Sequence, residues 1–441
     1  MKRSQILNNA KWIIICKIVQ SLLQFIIGML CARYLGPSNY GLINYAASFA
    51  SFALPVVRLG LDATLVRELV KDSDGEGEIM GTSIVMCLVS SVLCYGGVVG
   101  FVTVANAGDT TVLIVCMLYN VMLFFAAIEM IQYWYQYKLL SKYYSLVGLV
   151  AYVIVSVYRI FLLVTDKSVY WFAVTNAFDV AIIVVSLVVI YLRMGAGRLR
   201  FSFSRARDLF SRSKHYILAM LMISIIQNTD HIMLTNMVGE KENGFYSAAI
   251  TSAAVVQFVY YAIIDSFRPM ILSKKEENEE LYKLNMSRLY SVIIYLAFLQ
   301  SVVFILFAKP IITILYGAQY AESIRVLRVL MMYYVFSLMG VVRNVWILAE
   351  QKQKYLLGIN LSGALFNVVL NFFLIPYFGA CGAAFASLMT QFFMNFLLGF
   401  IFKPIRESNY IMLRGLNPAF LMKESKNIVS ELLDSRKKKN S

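Results

Sequence analysis

The sequence predicts an all-α, polytopic membrane protein of twelve transmembrane helices in two six-helix lobes. Three observations carry this. Of 441 residues, 60% are apolar and 15% charged, with a mean hydropathy of +0.69, whereas soluble domains carry about 25% charged residues. The charges are also gathered into short stretches: residues 34–57, 79–108, 245–264, 289–308 and 355–402 contain none, and roughly 20 apolar residues suffice for one helical crossing. Finally, one turn is written twice, as "LGPSNYG" ending at Gly41 and "VGEKENG" ending at Gly244. A soluble helical core does not concentrate apolar residues in such long uncharged runs.

The elements follow in order. Span 1 is expected over 11–33. Its apolar stretch, "WIIICKIVQSLLQFIIGMLC", is too long for a cleavable signal peptide and leads into a second span, so it reads as permanent. Span 2, over 40–62, follows a polar hairpin held by Gly36, Pro37 and Gly41. Spans 3 to 6 are expected over 79–105, 110–135, 144–165 and 168–192. The segment 193–214, "RMGAGRLRFSFSRARDLFSRSK", then reads as an interfacial amphipathic linker. Spans 7 to 10 are expected over 215–238, 245–267, 289–309 and 325–348. The run 355–402 is divided by Pro376, Gly379 and Gly382, giving spans 11 and 12 over 355–377 and 380–402. The expected domains are an N-terminal lobe, 1–192; the basic linker, 193–214; a C-terminal lobe, 215–403; and a basic tail, 404–441.

Twelve crossings place both termini on one side. Of the 40 Lys and Arg, 31 fall in loops and tails on that side and 4 on the other. Cytoplasmic loops collect Lys and Arg, so both termini are expected in the cytoplasm of a cell-membrane protein. This also accounts for the net charge of +15. Basic residues along the membrane surface meet anionic lipid, and no nucleic-acid partner is expected.

The recurring turns stand 203 residues apart, Gly36 against Gly239 and Gly41 against Gly244. With six spans per half, the halves enter the membrane with the same polarity, which is a parallel repeat. "YFGACGAAFAS", 377–387, is a third short relative of the turn. Glycine makes the tight turns sterically easy, and the small residues after it allow close helix packing.

"RYLGPSNYGLINYAASF" (33–49), "TDHIMLTNMVGEKENGFYSAA" (229–249) and "ILYGAQYAESIRVLRVL" (314–330) resemble the polysaccharide-flippase family. That is the O-antigen and repeat-unit exporter branch of the multidrug/oligosaccharidyl-lipid/polysaccharide superfamily. The similarity extends from span 1 to span 12. It implies a V-shaped twelve-helix fold and alternating access. It also implies movement of an undecaprenyl-pyrophosphate-linked oligosaccharide from the inner to the outer leaflet.

Charged residues inside spans are costly and so are candidates for function. They include Lys17 in span 1, Arg58 and Arg268 near the ends of spans 2 and 8, Arg159 in span 5 and Arg343 in span 10. Lys and Arg are natural counter-ions for a pyrophosphate head group. In the resembling family the cavity is lined mainly by spans 1, 2, 7 and 8, which favours Lys17, Arg58 and Arg268. The plainer reading is snorkelling to the interface, and Asp265 stands three residues before Arg268, at ion-pair spacing. A second constellation joins Asp230 of span 7 to Asn367 and Asn371, spaced i, i+4 in span 11, and to Ser387 in span 12. One carboxylate with several neutral oxygens suits a monovalent cation, and some flippases of the superfamily resemble this arrangement. Interhelical hydrogen bonding by Asn is the structural alternative, and protonation of Asp230 is the proton-coupled one.

The six cysteines lie in apolar segments without a CxxC pair, and there are two histidines. Neither a disulfide framework nor a resident metal centre is expected. The chain carries no GxSxG, HExxH or GxxxxGK[ST] pattern, so it is expected not to be an enzyme. No cofactor is expected, and a Na+ or H+ gradient is the candidate driving force. Expected partners are the lipid-linked oligosaccharide, membrane lipids, and a polysaccharide polymerase with its chain-length regulator, the transporter itself acting as a monomer. Two rivals stand beside this reading: a multidrug–cation antiporter of the same fold, which would favour acidic cavity residues, and a membrane polymerase or acyltransferase, which would need larger external loops. The lipid II flippase branch typically has fourteen spans, against twelve here.

Overall fold

A computed structural model describes residues 3–106, 108–195, 197–422 and 424. The chain folds as two compact units. The first comprises Met1–Ala248 with Ile314–Tyr320, and the second Ala249–Thr313 with Ala321–Ser441.

The helices α1 (Arg3–Val57), α2 (Leu65–Lys71), α3 (Glu76–Ala105), α4 (Thr110–Asn120), α5 (Met122–Ile128), α6 (Gln132–Tyr137), α7 (Ser141–Val164), α8 (Val169–Arg193) and α9 (Phe203–Val238) belong to the first unit. Helix α10 (Glu240–Ala254) begins in it. The second unit is built on α11 (Gln257–Glu277), α12 (Glu279–Leu306), most of α13 (Ala308–Tyr316), α14 (Ser323–Ala349), α15 (Leu356–Phe392), α16 (Leu398–Ile401) and α17 (Arg406–Leu416). Among the described residues, nine helices are long and apolar enough to cross a membrane, and the bent pair of α10 and α11 adds a tenth. Two of the nine contain a glycine outside helical geometry, Gly36 in α1 and Gly379 in α15. Division at those glycines yields twelve crossings. The chain is therefore a multi-pass helical membrane protein.

Polar side chains set where helices begin. Asp109 accepts from the backbone of Thr111 and Val112 at the head of α4, and Asn278 from Leu281 at the head of α12. Within the bilayer, helices gain little from hydrophobic burial against one another, so small residues and polar tethers carry the packing. Helix α1 accordingly buries Ala32, Ala46, Ala50 and Ala53.

The repeated turn has one geometry in both copies, φ 72° and ψ 171° at Gly36, φ 100° and ψ 168° at Gly239. These positive φ values favour glycine. Both turns belong to the first unit, and they interlock. A Cβ at Gly41 would collide with the Glu240 carbonyl, and one at Gly244 with the Pro37 carbonyl. Glu240 follows Gly239 as Pro37 follows Gly36, so the two contacts are one contact seen from either side of a local two-fold axis. Asn243 Nδ2 donates to the Gly41 carbonyl at 2.8 Å, closing the junction.

The linker differs from its expected form. Residues 197–202 leave helical geometry and lie along α3, with Arg200 N donating to Gly77 O at 3.1 Å and Ser202 N to Thr82 Oγ1 at 3.1 Å. Gly77 and Gly81 have no side chain because linker backbone occupies that space. Ser202 then caps α9, accepting from Arg205 N, and the helix runs unbroken from Phe203 to Val238. The amphipathic stretch is thus the first part of span 7 rather than a separate helix. Arg205 pairs with Asp72 (2.7 Å) and Glu78 (3.5 Å), and Arg212 with Glu68 (3.4 Å). Part of the linker's positive charge is therefore met by protein carboxylates. In the tail, α17 packs on α12, with Tyr295 OH donating to Leu416 O at 2.8 Å. The terminal "DSRKKKNS" lies outside the described residues.

Candidate substrate cavity

The first unit contains a cavity of about 320 Å³ between the end of α1 and the middle of α9. Ser51, Leu54 and Pro55 line it from α1, Arg58 from the turn just after that helix and Asp62 from the 3-10 turn that follows, and Ser224, Gln227 and Asn228 line it from α9. The end of α1 is shaped by left-handed backbone at Leu59 and Gly60. A Cβ at Gly60 would collide with the Ser213 carbonyl of α9, so glycine sets the approach of the two helices here. Ser224 Oγ donates to Ser51 O at 2.7 Å, and Asn228 Nδ2 to Ser224 O at 3.0 Å.

Arg58 is a half-buried member of the lining. Its Nη2 meets Glu129 Oε2 at 3.0 Å and its Nη1 meets Asp62 Oδ2 at 3.6 Å. Tyr144 OH donates to the other Glu129 oxygen at 3.0 Å. Among the described residues, Arg58 Nε and Asp62 Oδ1 have no hydrogen-bond partner. One guanidinium thus faces two carboxylates, in a cluster with donor and acceptor capacity still open. Glu129 is placed by a 3-10 turn, Glu129–Ile131, which interrupts the helical stretch between α5 and α6.

The other candidate residues lie elsewhere. Lys17 is exposed on α1, nineteen residues before Gly36 and so about 28 Å from that turn by helical rise. It therefore stands towards the far end of its span. Arg159 is tied to α8, donating to Asn176 Oδ1 at 2.8 Å and Thr175 Oγ1 at 3.1 Å. Arg268 pairs with Asp265 at 2.9 Å, as their spacing suggests. Arg343 is buried and clasps the π turn Phe393–Leu397. It donates to Met394 O (2.8 Å), Asn395 O and Asn409 Oδ1 (2.7 Å). Its donors thus hold the fold together, unlike the head-group role read from the sequence. Asp230 is buried in the first unit and accepts from Tyr246 OH at 2.6 Å. Asn371 donates to Asn367 Oδ1 at 3.1 Å in the second unit, where Ser387 is also buried. Ser51, Ser224, Gln227 and Asn228 carry no charge to mark them in the sequence. An amide in the middle of an apolar span is the signal that finds Gln227 and Asn228.

The chain matches the family model described as "Polysaccharide biosynthesis protein" over residues 6–275, and it belongs to that family. It is 20% identical to the "Capsular polysaccharide biosynthesis protein CapF" of Staphylococcus aureus, over 87% of this chain and 96% of that one. Among solved structures it resembles "Lipid II flippase MurJ, inward closed conformation", with a TM-score of 0.73 and 15% identity, covering 96% of this chain and 97% of that one. It also resembles an inward-facing "multidrug resistance MATE family transporter of the MOP superfamily", with a TM-score of 0.68 and 13% identity, covering 88% and 94%. The fold is therefore the twelve-helix, two-lobe fold of these transporters.

Proposed function

We propose that this protein is a flippase. It moves an undecaprenyl-pyrophosphate-linked oligosaccharide from the inner to the outer leaflet of the cytoplasmic membrane by alternating access, supplying repeat units for a surface polysaccharide. Family membership and the likeness to CapF support the pathway, and the shared fold supports the transport step. The observation that carries the reading is the cavity, whose lining combines Arg58 with Ser224, Gln227 and Asn228. A diphosphate linking lipid to sugar is a concentrated acceptor, and a guanidinium answers it with several donors. Arg58 would exchange Asp62 or Glu129 for phosphate as substrate enters, which ties binding to rearrangement of the charge cluster. Asp230 in the first unit, and Asn367, Asn371 and Ser387 in the second, remain proposed residues for Na+ or H+ coupling, Asp230 as a carboxylate that can take up either ion. The transporter would act as a monomer, with its termini in the cytoplasm and a polymerase downstream.

The test is complementation of a strain lacking the gene, read as surface polysaccharide and as lipid-linked precursor. Arg58→Gln is expected to reduce the surface product at normal protein level while precursor accumulates. Normal polymer in that variant would remove Arg58 from the mechanism. A cation antiporter is a second reading, favoured by the two carboxylates on Arg58 and by buried Asp179 Oδ1, which has no hydrogen-bond partner among the described residues. It requires efflux of cationic dyes that depends on Glu129.

A further inference from the structure

We propose that Ser21, Gln24 and Gln227, the open members of a Ser-x-x-Gln pair duplicated in the two halves of the chain (Ser21 with Gln24, Ser224 with Gln227), contact the sugars of the lipid-linked substrate. This rests on the flippase reading and says which part of the substrate these residues take.

The register of the repeat comes from geometry. Gly36 and Gly239 share a backbone conformation, and Gly41 and Gly244 exchange equivalent contacts. The same offset of 203 carries Ser21 onto Ser224 and Gln24 onto Gln227. Each Gln stands twelve residues before its glycine, about 18 Å along the helix, and each Ser fifteen residues before it, about 22 Å. In a hydrocarbon core about 30 Å thick, these side chains lie towards the middle.

Exposure gives the second line of argument. Gln24, Ser21 and Gln227 are exposed, and among the described residues none of their side chains makes a hydrogen bond or ion pair. Gln227 lines the cavity, while Ser224 turns its hydroxyl to Ser51 O and supports that wall. A primary amide facing hydrocarbon without a partner costs several kcal/mol. Two of them at matched depth, both left open, point to a wet path rather than to lipid. An amide offers donor and acceptor together, which suits the hydroxyl and acetamido groups of sugars. A pyrophosphate only accepts, and the cationic residues serve it: Arg58 at the cavity, and Lys17 one turn from Ser21. The structure thus separates a cationic contribution for the head group from an amide contribution for the glycan.

The test uses the full-length protein with its six cysteines replaced, carrying Gln24→Cys or Gln227→Cys, in proteoliposomes. Labelling by a membrane-impermeant maleimide is measured alone, with undecaprenyl pyrophosphate, and with the undecaprenyl-pyrophosphate-linked repeat unit isolated from the host. Both positions are expected to label, and the sugar-bearing lipid is expected to protect them where the sugar-free lipid does not. Absence of labelling at both positions, or equal protection by the two lipids, overturns the assignment. In parallel, translocation of the same repeat unit is followed in Gln24→Leu/Gln227→Leu and in Gln24→Asn/Gln227→Asn. Loss of hydrogen bonds to the substrate is expected to slow the Leu variant roughly tenfold or more, with partial activity in the Asn variant. A wild-type protein that moves the repeat unit while the Leu variant keeps pace overturns this inference alone. A wild-type protein that moves none overturns the flippase reading, and this inference falls with it.

Discussion

Arg343 shows how an intramembrane charge can serve structure. Its guanidinium donates to two carbonyls of the π turn and to Asn409 Oδ1, and Asn409 in turn donates to Phe396 O at 2.7 Å. Arg343→Met is expected to lower stability by about 3–5 kcal/mol, since removal of one member of a buried polar set leaves the others unpaired. Arg343→Lys is expected to recover little, because a point charge cannot reach three acceptors as a planar fork does. Thermal unfolding in detergent checks both, and wild-type melting in Arg343→Met would contradict this role. The glycine junction makes a second prediction. Gly41→Ala or Gly244→Ala drives a methyl group into backbone, and overpacking of that kind costs about 1–3 kcal/mol. Gly28→Ala, with open space around it, is the control and should melt no lower than wild type. All of these residues could be picked out in the sequence. Their partners could not, because Arg343 and Asn409 lie 66 residues apart and no local pattern encodes their meeting.

At the scale of elements, hydropathy made most crossings legible, and the glycine turns divided the long runs correctly. The start of α9 was not legible. The charges of 205–214 look like a surface segment, and it is the Ser202 cap together with carboxylates from residues 68–78 that lets the helix begin so early. Those carboxylates come from a different part of the chain, so hydropathy is blind to them. The docking of 197–202 on α3 depends more on close backbone approach than on its surface ion pairs, which are worth about 0–1 kcal/mol each. Gly81→Leu is therefore expected to release the linker and speed its limited proteolysis, while Arg205→Gln leaves the cleavage rate nearly unchanged. Equal cleavage of Gly81→Leu and wild type would refute the docking argument.

For the whole molecule, the distribution of Lys and Arg and the twelve crossings together predict topology. Reporter fusions at residues 200 and 430 are expected in the cytoplasm and one at 241 outside, and an external residue 430 would break the twelve-span arrangement. The candidate cavity was half legible in the sequence: Arg58 stood out by charge, whereas Glu129, Tyr144 and the polar face of α9 gain their meaning only through packing against it. Function at this scale reduces to one claim, that the protein carries a lipid-linked glycan across the bilayer. The direct measurement is reconstitution into liposomes with a fluorescent undecaprenyl-pyrophosphate-linked repeat unit, following its arrival in the opposite leaflet by its accessibility to an added glycosidase. Wild-type protein is expected to expose the glycan well above the rate in empty liposomes, with Arg58→Gln much slower. A rate equal to that of empty liposomes, with cationic dyes transported instead, would contradict the account.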